Sequence, residues 1–128
     1  MQVDTGGEYI MKKALFILND PPYDSERCYN ALRVAGALIK EDARTQVTVF
    51  LMADAVNAAK IGRKVPDDCY NVERLLKQVL AGKARVLLCG TCMDARGLSD
   101  AEIMPGARRS SVDALAAAVV DADKVFVF

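Results

Sequence analysis

Apolar runs too short to be helices alternate along this chain with segments of helical period, and that alternation leaves few folds open. Ala14-Leu15-Phe16-Ile17-Leu18, Gln46 to Met52 and Arg85 to Leu88 are near-continuous apolar runs. A strand without apolar–polar alternation is buried on both faces, as in a parallel sheet covered by helices. Lys124 to Phe128 reads as a final strand, and Glu102-Ile103-Met104 as a brief fourth strand stopped by Pro105-Gly106. Between the runs, Asp24 or Ser25 caps a helix through about Glu41, with Cys28, Ala31, Leu32, Ala35, Leu38 and Ile39 as its inward stripe. Asp54 caps a short helix over Ala55 to Ala59, and Ile61 to Asp68 reads as a loop. Asn71 to Ala81 is a helix ended by Gly82. A short helix over Asp94 to Leu98 and a last one from Arg109 or Ser110 to about Val120 complete the chain. The pattern predicts an α/β fold with right-handed crossovers and helices on both faces of a mostly parallel sheet.

A chain of 128 residues is one domain and buries roughly two-thirds of the surface of its unfolded form. Residues 1–11 read as a flexible leader, with Met11-Lys12-Lys13 as an alternative start, and 12–128 as a single domain. Hydrophobic residues reach 52%, above the ordinary ~45–50%, which hints at an oligomer with apolar contact surface. Lys and Arg total 17, as do Asp and Glu, so no basic face draws the chain to nucleic acid. No segment approaches the ~20 apolar residues that span a bilayer, and Met1 to Tyr9 lacks a signal-peptide core. A reducing cytoplasm follows as the expectation. There, four cysteines are free, catalytic or metal-bound rather than disulfide-paired.

All four cysteines fall in or near strand exits. Cys89-Gly90-Thr91-Cys92 follows Val86-Leu87-Leu88 directly, at the carboxyl edge where open α/β sheets place their chemistry. The chain has no histidine, so chemistry here runs on sulfur itself. The bland reading of Cys89 is a small buried hydrophobe. Against it, Gly90 leaves room for close approach, backbone N–H groups of the following turn can face an anion, and Arg96 adds positive charge. All of these favour the thiolate, the nucleophilic form. Asp94 reads as a helix cap. The C-x-x-C spacing permits a reversible disulfide, although redox motifs usually carry Pro or His inside the pair. A zinc site would need Cys28 and Cys69 as well; their spacing fits no finger or ribbon, and core packing explains Cys28 better. Phosphate-loop and dinucleotide fingerprints are absent. Ser110, Ser111 and Asp113 have no histidine partner and read as caps.

The run Leu87-Leu88-Cys89-Gly90-Thr91-Cys92-Met93-Asp94-Ala95-Arg96-Gly97-Leu98 closely resembles the cysteine segment of the DsrE/DsrF-like (YchN-like) family. Supporting likenesses are Asn19-Asp20-Pro21-Pro22-Tyr23, Asn30-Ala31-Leu32-Arg33, Asp54-Ala55-Val56 and Asn71-Val72-Glu73, so that the resemblance covers about 12–128. It implies a three-layer α/β/α sandwich with a five-stranded parallel sheet, and homo- or hetero-oligomers, often trimers or hexamers. Relatives in the DsrEFH and TusBCD complexes relay sulfur as a persulfide on a cysteine eight residues before the glycine of an Arg-Gly pair. Cys89 stands eight before Gly97, so that role transfers to Cys89. Cys92 is absent from the TusD-like pattern and is found in the YchN-like branch.

The resulting expectation is a sulfurtransferase-like relay. Cys89 accepts a sulfane sulfur from a donor persulfide and passes it to an acceptor thiol. Cys92 resolves the persulfide, and Arg96, with Arg63 or Lys64, holds the anion. Gly90, Thr91 and Asp54 are the substrate-binding candidates. No cofactor and no metal are called for. The partners are copies of the same chain or sister sulfur-relay subunits, not nucleic acid or membrane. The alternatives are a non-catalytic oligomeric module that binds a ligand or partner, and a Cys89–Cys92 dithiol redox protein. The relay reading requires the Cys89 sulfur to meet solvent.

Overall fold

The computed structural model describes residues 11–66 and 70–128; residues 1–10 of the expected leader, and Cys69, lie outside them. Five strands form one all-parallel sheet: β1 (Lys13–Leu18), β2 (Gln46–Leu51), β3 (Arg85–Cys89), β4 (Ala107–Ser110) and β5 (Lys124–Val127), in the order β4-β3-β2-β1-β5. The helices are α1 (Arg27–Glu41), α2 (Val72–Ala81), the short α3 (Gly90–Ala95) and α4 (Val112–Asp121). The predicted α/β architecture is the one observed.

The connections explain the layers. From β1 through β2 to β3 the chain steps one way across the sheet, and right-handed crossovers then put α1 and α2 on the same face. From β4 it returns to β5 beside β1, and the reversed step puts α4 on the opposite face. Alternate residues divide accordingly. Phe16, Leu18, Val49, Leu51, Val86 and Leu88 pack in one core with Ala31, Leu32, Val72 and Leu76 from α1 and α2. Leu15, Phe50 and Cys89 pack under Leu115 of α4.

Several boundaries differ from the expected ones. The fourth strand is Ala107–Ser110, after the Pro105-Gly106 turn rather than before it; Ile103 makes only an isolated antiparallel bridge with Lys60. Gly106 takes φ +96° to make that turn, which glycine tolerates freely. The strand Ala107-Arg108-Arg109-Ser110 escapes a hydrophobicity pattern because it is an edge strand with both arginines exposed. Helix α1 starts at Arg27, where the Ser25 hydroxyl accepts the Arg27 N–H at 3.3 Å without capping the first turn. After β2 the chain forms a 3-10 turn over Ala53–Ala59 with no side-chain cap from Asp54. Asn71 caps α2 by accepting the Arg74 N–H at 3.0 Å, and Ser111 caps α4 through Ala114 N–H at 3.1 Å. Helix α3 begins at Gly90, immediately after β3, and not at Asp94.

Candidate active site

Strand β3 delivers Cys89 at its carboxyl end, paired in register with Ser110 of β4. Helix α3 turns away at the next residue, and a close approach requires glycine there. A Cβ at Gly90 would lie 2.9 Å from Arg109 Nη1 and 3.1 Å from the Ser110 carbonyl oxygen. Arg109 fastens this corner: its Nη1 donates to the Gly90 carbonyl at 3.1 Å, its Nε to Asp100 at 2.8 Å, and its Nη2 lies 3.0 Å from Asp94. Asp94 therefore anchors the end of α3 to β4 and caps no helix, contrary to expectation.

Cys89 is 2% exposed and packs among Leu15, Phe50 and Leu115. The expectation that its sulfur meets solvent is thus corrected for the single chain. The reason is tertiary: the crossover into β5 lays α4 over the strand end, and Leu115 covers the thiol. The partly exposed sulfur is that of Cys92, one helical turn on, which packs against both cores. Burial pushes the Cys92 thiol up first, and its hydrogen bond to Cys89 adds to this by holding the proton; the Ala53 backbone N–H and the Arg96 charge pull the other way without reversing it. The two thiols therefore lie close enough to influence one another.

Arg96 stands beside Cys92. Its Nη1 donates to the Cys92 carbonyl at 3.1 Å, and its Nε donates to Asp54 at 2.7 Å. Asp54 thus reaches the site through Arg96. Thr91 is exposed on the first turn of α3. Of the other predicted anion holders, Arg63 lies over the Tyr23 ring at 5.2 Å and Lys64 is exposed; the structure draws neither to the sulfurs. Cys28 is fully buried, its Sγ–H donates to the Asp20 carbonyl at 3.1 Å, and burial pushes its thiol up to about 12. That is an inert core thiol, as its helical position implies. Among the described residues no three His, Cys, Asp or Glu side chains are grouped to hold a metal ion.

Two participants have no sequence signal. Ala53 sits at φ +50°, a left-handed conformation that costs a non-glycine residue about 1 kcal/mol or more, and its N–H donates to the Cys92 sulfur. Arg109 lies in an edge strand, and nothing local marks it as the clamp on Gly90.

A five-stranded parallel sheet with helices on both faces, and two cysteines at the carboxyl end of inner strand β3, defines a three-layer α/β protein. More specifically, the chain belongs to the DsrE/DsrF-like family, whose match runs over residues 12–128. It is 37% identical over 118 residues to protein YchN of Escherichia coli, covering 92% of this chain and all of that one. It is 35% identical over 112 residues to uncharacterized protein MK0008 of Methanopyrus kandleri, covering 88% and 90% of the two chains. The crystal structure of E. coli YchN superposes with a TM-score of 0.88 over 92% of this chain and 100% of that one. MTH1491 of Methanobacterium thermoautotrophicum, at 12% identity and a TM-score of 0.76 over 91% and 99%, shares the fold. Among the described residues no helix is long and apolar enough to cross a membrane.

Proposed function

We propose that this protein is a sulfane-sulfur relay in which Cys89 holds the sulfur as a persulfide between a donor persulfide and an acceptor thiol. The observation that carries the reading is the packing of Cys92 against the buried cluster of Cys89, Leu15, Phe50 and Leu115, which brings the two thiols together at the end of β3. Sulfur exchange needs a thiolate and access, not a general base, so the absence of histidine is compatible with it. Burial among these side chains keeps water and bulk thiols from a persulfide on Cys89. A cytoplasmic location, where both thiols stay reduced, suits this chemistry.

The reading includes self-assembly into a trimer or hexamer. Helix α4 supports this: only Leu115 of it is buried, while Val112, Val119 and Val120 are exposed, as are Val125 and Val127 of edge strand β5. Exposed apolar side chains in this number suit a contact surface between copies of the chain. Sister sulfur-relay subunits are the other partners the reading admits.

The test is incubation with glutathione persulfide, thiol blocking and peptide mapping of the equilibrated protein. One added sulfur on Cys89 is the expected result. No gain in mass, or sulfur resting only on Cys92, overturns the proposal. If the isolated thiols instead close to a stable Cys89–Cys92 disulfide that cycles with a dithiol reductant, the redox reading replaces it.

A further inference from the structure

We infer that Cys92 is the entry port of this site and Cys89 its inner store, so that sulfur passes through the two cysteines in series. This rests on the relay reading above and adds the order of events and the role of the second cysteine. The two sulfurs differ in access. Cys89 is 2% exposed under Leu115, whereas Cys92 is partly exposed on the outer turn of α3. A donor arriving from solvent meets Cys92 first. Around that sulfur stand the two groups able to support a negative charge, the Ala53 N–H and the Arg96 guanidinium. Ala53 holds a left-handed backbone conformation there. Around Cys89 the side chains are Leu15, Phe50 and Leu115, which suit storage better than exchange with a charged donor. Cys92 packs against the cluster that holds Cys89, which puts the two stations next to each other.

The steps balance without an oxidant. The Cys92 thiol loses its proton to solvent, and its sulfur attacks the outer sulfur of a donor R–S–SH. The donor S–S bond breaks, the donor leaves as a thiolate that takes up a proton, and Cys92 carries the persulfide. The Cys89 thiolate then attacks the outer sulfur of that persulfide. The Cys92 S–S bond breaks, and Cys92 leaves as a thiolate and takes the proton that Cys89 gave up. The net change moves one sulfur from donor to Cys89, and nothing is oxidised. Return to an acceptor thiol runs the same path outward.

The experiment compares wild type, Cys92→Ala and Cys89→Ala with glutathione persulfide, following sulfur on each cysteine peptide over time, with circular dichroism confirming each fold. Wild type is expected to show sulfur on Cys92 early and on Cys89 late. Because exchange follows thiolate access, Cys92→Ala should load Cys89 about tenfold more slowly or worse. In Cys89→Ala the sulfur should stop at Cys92 and be lost to added glutathione faster than from wild type. Loading of Cys89 in Cys92→Ala at the wild-type rate overturns the series order and leaves the relay reading standing. Prompt release of hydrogen sulfide with a Cys89–Cys92 disulfide also overturns it, since attack then falls on the inner sulfur. Failure of wild type to gain any sulfur removes the relay reading itself, and this inference with it.

Discussion

Arg109 Nη1 donates to the Gly90 carbonyl at 3.1 Å, one residue beyond Cys89, and the same guanidinium grips Asp100 and Asp94. Edge strand β4 is thereby tied to the start of α3, and the turn that separates the two thiols is fixed from outside. The side chain at position 90 must be absent for this, because a Cβ there would sit 3.1 Å from the Ser110 carbonyl. Gly90→Ala should therefore destabilise the protein by about 1–3 kcal/mol, as overpacking does, read as a lower melting temperature. Arg109→Lys loses the three-way fork and should leave the fold intact while changing the Cys92 alkylation rate.

Asp54 and Arg96 pair at 2.7 Å beside Cys92. The carboxylate offsets part of the positive charge that Arg96 directs at the thiol. Asp54→Asn should then lower the Cys92 pKa and speed its alkylation by iodoacetamide at fixed pH, by about threefold or more, as thiolate fraction rises. Arg96→Gln should slow it. Equal rates in all three proteins would show that the pair is structural only.

Leu115 is the cover on Cys89. Leu115→Ala should cost about 2–3 kcal/mol of stability and expose the thiol. Alkylation of the Cys89 peptide in native protein is expected to rise about tenfold, since access limits the reaction. An unchanged Cys89 rate would mean that another element shields it.

Cys28 gives an alkaline signature. Its thiol is raised from the ordinary 9.0 to about 12 in the folded state, burial first and the Asp20 charge second. The folded protein therefore holds a proton that the unfolded chain releases, and the associated stability is complete below pH 9.0 and lost as pH rises towards about 12. The slope is at most about 1.4 kcal/mol per pH unit. Urea titrations of wild type and Cys28→Ala across this range should converge as pH rises. Parallel curves would contradict the shift.

Val120 is 88% exposed on α4. Val120→Glu changes a surface position, so within one chain it should cost less than about 0.5 kcal/mol. If α4 packs against a second copy, the same change should split the assembly, seen as a smaller mass by light scattering with an unchanged circular dichroism spectrum. A wild-type monomer would remove the self-assembly proposal.

The inner strands were legible because they are buried on both faces, which writes a continuous apolar run into β1, β2 and β3. The stripes of α1 and α2 were legible for the same reason at helical period. Strand β4 was not, since an edge strand with exposed arginines carries no apolar signature, and the nearest apolar stretch, Glu102-Ile103-Met104, took its place. Gly82 is the C-cap of α2 as read, at φ −79°, and a Cβ there would lie 3.1 Å from Ile39 Cγ2, while Lys83 takes the left-handed position at φ +70°.

The sequence by itself determined the layered parallel fold, the family and the placing of two thiols at a strand's carboxyl end. These are local properties, set by the spacing of apolar residues and the order of elements. Only the tertiary structure decided which thiol faces outward. That depends on α4 crossing to the far face and laying Leu115 over Cys89, on Ala53 turning its N–H to Cys92, and on Asp54 meeting Arg96. Such contacts join residues distant along the chain, and their energies depend on burial and direction that no local pattern encodes.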